Sequence, residues 1–340
     1  MRISEYVSTG HPDKTADYIS EYILDRLIER DPNTRYALEV QIKDNHVTLG
    51  GEITTKVLEF KWNEWVKDAL AKIGYTQEYC DKWGYDNTID PSQLTLDVHV
   101  SSQSPDIAQG VNNDGWGDQG IFWGMATNET TSMLPIDYVL AMNLCQHLYH
   151  MAATGDGDWG LDIKTQVVLD EDYTVKKVIV AAPIRTPEAQ EALIKEIRMF
   201  TVPEQQEYEL IVNGTGTYIK HASIGDCGTT GRKLAVDFYG GNCRIGGGCP
   251  WTKDPTKADL SLNLLARILA KEALRKHNLD TAYVSIGCCI GKSDIDVTIY
   301  DNKNNIVDSY TYAVKPKEFI KKYDLDKPIY ADLCMNGLWS

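Results

Sequence analysis

Gly246-Gly247-Gly248, followed by Lys253-Asp254-Pro255-Thr256-Lys257-Ala258-Asp259, decides how this chain is read. Three consecutive glycines forgo side-chain packing and raise the entropic cost of folding, so they mark a backbone that bends sharply or approaches a ligand closely. The segment after them predicts a helix over 255–277, with Asp254 as N-cap and Pro255 at the first helical position. Ala258, Leu262, Leu265, Leu269 and Ala273 then share one helical face. Lys253 and Lys257 sit at the positive end of that helix dipole, where an anion compensates them and a phosphate chain is the natural candidate. No Gly-Lys-Ser/Thr closes the loop, so it is not a Walker A motif. A flexible turn with solvated lysines explains the same residues equally well.

Working outward, the same order of elements recurs. A helix over 12–29 precedes a hairpin at 36–50 and a helix at 56–73. A helix over 137–152 precedes strands near 164–170 and 174–182 and a helix at 187–199. The helix at 255–277 precedes strands near 281–290 and 294–300 and a helix at 316–323. In the first hairpin Tyr36, Leu38, Val40 and Ile42 alternate with Glu39, Gln41 and Lys43, and Asp44-Asn45 suits its turn. Helix, hairpin, helix, repeated, predicts an α/β (α+β) chain of three similar modules. His11-Pro12-Asp13-Lys14 and Asp254-Pro255-Thr256-Lys257 repeat the placement of Pro and Lys at a helix start.

The 340 residues carry 49 acidic and 34 basic side chains, a net charge of −15, which argues against nucleic acid or an anionic membrane as partner. Against that background Arg232, Lys233, Arg244, Lys253 and Lys257 form a basic island, suited to a small polyanion. No signal-like or membrane-spanning apolar run stands out. The eight cysteines show no CxxC pair, which fits reduced thiols in a cytoplasmic enzyme.

Several residues carry candidate chemistry beside a plainer reading. His11 at a helix start suits an acid, a base or a donor to a developing oxyanion; it also suits a simple cap. Asp13 suits a hard cation such as magnesium, or complements the helix dipole. In Gly225-Asp226-Cys227-Gly228-Thr229-Thr230-Gly231-Arg232-Lys233 a turn can present backbone amides beside two cations, an anion-binding concavity; a hairpin turn reads the same way. Asp226 can pair with a substrate ammonium. Gly117-Asp118-Gln119-Gly120 ends a polar loop of the kind that covers sites. Asp162-Ile163-Lys164 sets an acid and a base on one face of a strand, as either a phosphate contact or a surface ion pair.

Taken together, these pieces resemble the S-adenosylmethionine synthetase (methionine adenosyltransferase) family. The matching motifs are Gly10-His11-Pro12-Asp13-Lys14, Gly50-Gly51-Glu52-Ile53-Thr54-Thr55, Gln103-Ser104-Pro105-Asp106-Ile107, Gly117-Asp118-Gln119-Gly120, Ala126-Thr127-Asn128-Glu129-Thr130 and Ile224-Gly225-Asp226. Gly231-Arg232-Lys233 with Asp237-Phe238-Tyr239-Gly240-Gly241, and the opening glycine and lysine stretch, complete the set in the family's order over nearly the whole chain.

The resemblance implies three interleaved modules in a pseudo-threefold arrangement, each a mixed sheet with helices on one face, with boundaries at 1–103, 104–224 and 225–340. It implies homodimers, often paired into tetramers, with active sites at the dimer interface. It implies that the sulfur of L-methionine attacks C5′ of ATP and that the tripolyphosphate released is hydrolysed to phosphate and diphosphate. His11 and Lys164 would sit near the breaking bond. Arg232, Lys233, Lys253 and Lys257 would hold the polyphosphate, Asp13 and Asp259 a pair of magnesium ions, and Glu39 potassium. Glu52, Gln103, Asp118 and Asp226 would orient methionine, Asp162 the ribose, and Tyr218 would stack on adenine. A non-catalytic nucleotide-binding paralogue and a tripolyphosphatase lacking alkyl transfer are the competing classes. The chain departs from the family at a short loop between Gln103 and Gly117, at Cys249-Pro250-Trp251-Thr252 in place of a smaller stretch ending in glycine, and at Leu260 and Trp159-Gly160-Leu161, where arginines are usual. It also stops short of the customary tail.

Overall fold

Alternation over 36–43 becomes the centre of a sheet: Tyr36, Leu38, Val40 and Ile42 are buried while Glu39, Gln41 and Lys43 are exposed. The structure is a computed structural model that describes residues 1–102, 115–201 and 207–339. In chain order the elements are β1 (Arg2–Val7), α1 (Pro12–Ile28), β2 (Arg35–Lys43), β3 (His46–Thr54), α2 (Trp62–Ile73), α3 (Gln77–Trp83), β4 (Thr95–Ser101) and β5 (Gly120–Thr127). Next come α4 (Ile136–Thr154), β6 (Lys164–Leu169), β7 (Val175–Ala181), α5 (Pro187–Thr201), β8 (Glu209–Val212), α6 (Ala222–Gly225), β9 (Gly228–Thr229) and α7 (Leu234–Asp237). The chain continues through α8 (Ala258–Lys276), β10 (Thr281–Cys288), β11 (Asp294–Tyr300), β12 (Ile306–Ala313), α9 (Pro316–Lys322) and α10 (Tyr330–Asn336).

Among the described residues three four-stranded sheets result, ordered β4-β3-β2-β9, β1-β6-β7-β8 and β12-β11-β10-β5. Each is built on one of the expected hairpins, and each recruits a strand from a distant part of the chain. β1, which leads into α1, pairs antiparallel with β6. β5, which leads towards α4, pairs with β10. β9, upstream of α8, returns to β2 through Gln41 and Thr229. The strand before each long helix therefore completes the sheet of another hairpin, and this exchange is what interleaves the modules. Two sheets are mixed, because β4 and β8 run parallel to β3 and β7. A parallel neighbour needs a crossover, which α2 with α3 and α5 supply. The third sheet is antiparallel throughout, because only a tight turn separates β11 from β12.

The first two sheets and α1 share one apolar core around Ile19, Ile23, Val40, Leu144 and Val178, and the third sheet packs on α8 around Leu262, Ala266, Val284 and Val297. Nearly every residue of α1 is buried, since it is enclosed by β2, β9, α2 and α10. The opening stretch needs a correction. α8 begins at Ala258, not at Pro255; Asp254 instead closes a turn, its Oδ1 accepting from Thr256 N at 3.0 Å and its carbonyl from Lys257 N. Among the described residues all eight cysteines are free thiols, and no helix is long and apolar enough to cross a membrane.

Candidate active site

The junction of β1 and α1 builds the first half of the site. Val7 pairs with Lys164 at the start of β6. Ser8 Oγ donates to Leu161 O at 2.6 Å and accepts from Ile163 N at 2.9 Å, which fixes the junction against the strand. His11 follows as the N-cap of α1, its Nδ1 accepting from Asp13 N at 3.2 Å. With Nδ1 an acceptor, a neutral ring carries its proton on Nε2. Burial first, then the Lys233 charge, holds the imidazole pKa down to about 3, with Lys164 and Lys14 pushing the same way and Asp13 opposing.

Asp13 collects the basic turn. Its Oδ2 lies 2.5 Å from Lys233 Nζ, and its Oδ1 accepts from Thr229 N at 2.9 Å with Arg232 3.7 Å away. Burial would raise its pKa, but the Lys233 and Thr229 hydrogen bonds outweigh that and hold it below the usual carboxylate range. Two of the amides expected to cradle an anion at 225–233 are already used: Thr229 N serves Asp13 and Gly231 N serves Asp17. Asp162 accepts from Ala222 N at 2.9 Å. Burial pushes its pKa up to about 7; the Ala222 bond and Lys164 oppose the shift, while the Asp226 and Asp13 charges add to it. Tyr218 is half-buried near the same carboxylate, and burial, then the Asp162 charge, pushes its phenol up. His11, Asp13, Asp162, Lys164, Tyr218, Asp226, Arg232 and Lys233 therefore share one neighbourhood.

A second group gathers on the glycine and lysine stretch. The backbone of Lys253 bridges to Ala37 on β2, which pairs in turn with Glu52 on β3, so the three lie at one level. Lys253 Nζ lies 2.9 Å from Asp259 Oδ2 and donates to Cys249 O at 3.2 Å. Asp259 in the first turn of α8 thus already compensates Lys253. Among the described residues the Lys257 ammonium has neither an ion pair nor a hydrogen-bond partner. Asp118 is exposed, with its carbonyl accepting from Cys288 Sγ at 3.3 Å, and the charges of Asp118 and Asp259 both add to the burial that raises that thiol to about 11.

Glu39 ties the two groups together. One carboxylate oxygen accepts from Thr230 Oγ1, next to the Arg232 turn, and the other from Thr252 Oγ1 at 3.1 Å, next to Lys253. Among the described residues no hydrogen bond or ion pair joins the two cationic groups directly. Gln103 lies outside the described residues, as does the rest of its motif and the loop that follows to residue 114. Residues missed in the sequence are the supports within α1. Lys14 is buried between Asp17 (3.1 Å) and Asp237 (2.6 Å), its ammonium 4.7 Å from the Trp251 ring centre. The spacing of Asp13, Asp17, Glu21 and Asp25, four residues apart, was the available signal.

Fold and site together define an α/β protein of three strand-exchanged modules that gathers two groups of cationic and acidic side chains on either side of Glu39. Three family models match: S-adenosylmethionine synthetase N-terminal domain over residues 1–105, central domain over 113–218 and C-terminal domain over 221–340. The chain belongs to the S-adenosylmethionine synthetase family. It is 34% identical to an S-adenosylmethionine synthase of Mesoplasma florum, covering 98% of this chain and 93% of that one. It is also 34% identical to one of Mycoplasma capricolum subsp. capricolum, covering 96% and 89%. Among solved structures, an unusual S-adenosylmethionine synthetase from Campylobacter jejuni superposes with a TM-score of 0.89 at 30% identity, covering 99% of this chain and 93% of that one.

Proposed function

We propose that this enzyme is a methionine adenosyltransferase that makes S-adenosylmethionine from ATP and L-methionine. The sulfur lone pair forms a bond to C5′, the C5′–O bond breaks with its electron pair leaving on tripolyphosphate, and water then cleaves that product to phosphate and diphosphate. The convergence of His11, Lys164, Arg232 and Lys233 around one buried carboxylate, Asp13, carries the reading.

A neutral thioether attacks while negative charge departs, so catalysis needs groups that bind the leaving chain more tightly in the transition state than before it. Neutral His11 offers Nε2–H as a donor to the departing oxygen, and Lys164 places a cation beside it. Arg232 and Lys233 hold the polyphosphate from one side, Lys253 and Lys257 from the other. Half-buried Asp162 is assigned a ribose hydroxyl and Tyr218 the adenine ring. Glu52, Asp118, Asp226 and Gln103 are assigned to methionine.

Among the described residues no cluster of three or more His, Cys, Asp or Glu side chains is poised to hold a metal. Asp13 and Asp259 instead offer one carboxylate apiece, which suits magnesium, a hard ion that completes its shell with phosphate oxygens and water. Bound there, it would neutralise the leaving charge. Glu39 with the Thr230 and Thr252 hydroxyls is an oxygen-rich setting that suits potassium. Assembly as a homodimer, singly or paired, with the site at the interface, is part of the proposal. The test is incubation with ATP, methionine, magnesium and potassium, read by mass spectrometry beside a sizing column. Folded protein that yields no S-adenosylmethionine refutes it.

A further inference from the structure

Helix α1 carries Asp13, Asp17, Glu21 and Asp25 on one side, and each accepts backbone N–H groups from another part of the chain. Asp13 takes Thr229 N and Asp17 takes Gly231 N, both at 2.9 Å. Glu21 Oε1 takes Thr252 N at 2.6 Å. Asp25 takes Tyr330 N at 3.0 Å and Ala331 N at 2.9 Å, anchoring α10. Glu21 differs from the first two because among the described residues no lysine pairs with it, whereas Lys233 pairs with Asp13 and Lys14 with Asp17. It is fully buried, and its Oε2 has no partner among the described residues. A buried carboxyl without a counter-ion is costly, and its one contact falls at an unusual place.

Thr252 has φ of 72°, a left-handed conformation that strains a β-branched residue and persists only where the surroundings fix it. Every polar group of Thr252 is engaged. Its N–H goes to Glu21, its carbonyl accepts from Leu38 N at 3.0 Å, and its hydroxyl donates to Glu39 at 3.1 Å. The next residue is Lys253, bridged to Ala37 and paired with Asp259.

We infer that Glu21 is a positioning residue: by accepting the Thr252 amide it holds the left-handed turn that delivers Lys253 to the polyphosphate. The role assigned to Lys253 rests on the activity proposed above. Without an acceptor the buried Thr252 N–H is orphaned, the strained turn relaxes, and Lys253 moves off its place beside Asp259. The contact needs an acceptor oxygen, not a charge, and burial pushes the Glu21 carboxyl well above its ordinary pKa, towards the neutral form.

The experiment compares full-length Glu21→Ala, Glu21→Gln and the double variant Glu21→Ala with Thr252→Asn, since asparagine tolerates the left-handed region and still donates to Glu39. The readouts are S-adenosylmethionine formation, tripolyphosphate affinity by calorimetry, and melting temperature. Glu21→Ala is expected to lower kcat roughly tenfold and weaken tripolyphosphate binding, with KM for methionine within about twofold. Glu21→Gln keeps the acceptor and stays within about threefold of wild type, and the double variant recovers at least about threefold over Glu21→Ala. A merely structural role would lower the melting temperature without this kinetic split or rescue. Wild-type behaviour of Glu21→Ala, a folded Glu21→Gln as impaired as Glu21→Ala, or no rescue in the double variant overturns the inference. Where Glu21→Ala does not fold, Glu21→Gln decides. If the wild type itself forms no S-adenosylmethionine, the activity fails, and tripolyphosphate affinity across the same variants still decides the positioning.

Discussion

Lys233 Nζ lies 2.5 Å from Asp13 Oδ2, so the cation proposed to meet the polyphosphate is held in place by the carboxylate proposed to meet magnesium. Asp13 is buried and Lys233 nearly so, which keeps both charges poorly screened and fixes their geometry before substrate arrives. The site is organised by the fold itself.

Asp13→Asn removes that organising charge. Turnover is expected to fall by roughly a hundredfold or more, with a flatter response to added magnesium, because Lys233 and Arg232 lose their partner together. Activity measured across a magnesium titration checks this, beside a melting curve that falls but shows one cooperative transition. Full activity in Asp13→Asn would contradict the assignment.

Lys164 acts on departing charge, so its removal is felt in the transition state more than in the ground state. Lys164→Ala is expected to lower kcat roughly a hundredfold or more while ATP affinity changes by less than about tenfold. Single-turnover kinetics with a separate ATP titration distinguish the two. Equal losses in both would assign Lys164 to binding alone.

Much of this arrangement is legible in the sequence because it is local. The alternation of Tyr36 to Lys43 and the repeating helix–hairpin order require only side-chain periodicity, and both appear in the structure. The exchange of β1, β5 and β9 between sheets is not legible, because strand pairing across roughly 150 or more residues leaves no mark on local pattern. The start of α8 is misread for a related reason. Asp254 and Pro255 have the chemistry of a helix start, but the Asp254 carboxylate also accepts from Tyr36 N at 2.8 Å, and this tertiary bond draws it into a turn. Thr252, at the end of a stretch expected from the resemblance to close on glycine, has a positive φ, a conformation that glycine takes without strain.

The three glycines of the opening stretch serve different ends, which makes them separable by mutation. A Cβ at Gly246 would lie 1.6 Å from Ile121 O, a backbone atom that cannot yield, so Gly246→Ala is expected to destabilise the fold. A Cβ at Gly248 would lie 2.2 Å from Asp259 Oδ1, a side-chain atom, so Gly248→Ala should push Asp259 off Lys253 and cost activity with a smaller loss of melting temperature. Gly247 has open space but a φ of 97°, so its alanine variant pays only in backbone strain, about 1 kcal/mol or more. Melting temperature and turnover measured on all three give this order, and a Gly248→Ala with full activity would remove Asp259 from the site.

Asp162 links the site to pH. Its pKa in the folded protein is raised, mainly by burial, from 3.8 to about 7, so between those values the folded chain keeps a proton that the unfolded chain has released. Its contribution to stability is therefore full in acid and is lost as pH rises through about 7. Asp17, also raised to about 7, and Asp25, raised to about 6, slope the same way, so the wild-type curve alone cannot isolate one group. Asp162→Asn does, since the amide keeps an acceptor for Ala222 N but does not titrate. The melting temperature of the variant relative to wild type should climb between pH 4 and 7 and level off above. A difference that stays flat over that window, with any change confined to more acid pH, would mean that Asp162 is ionised and paired in the folded protein, with Lys164 outweighing its burial.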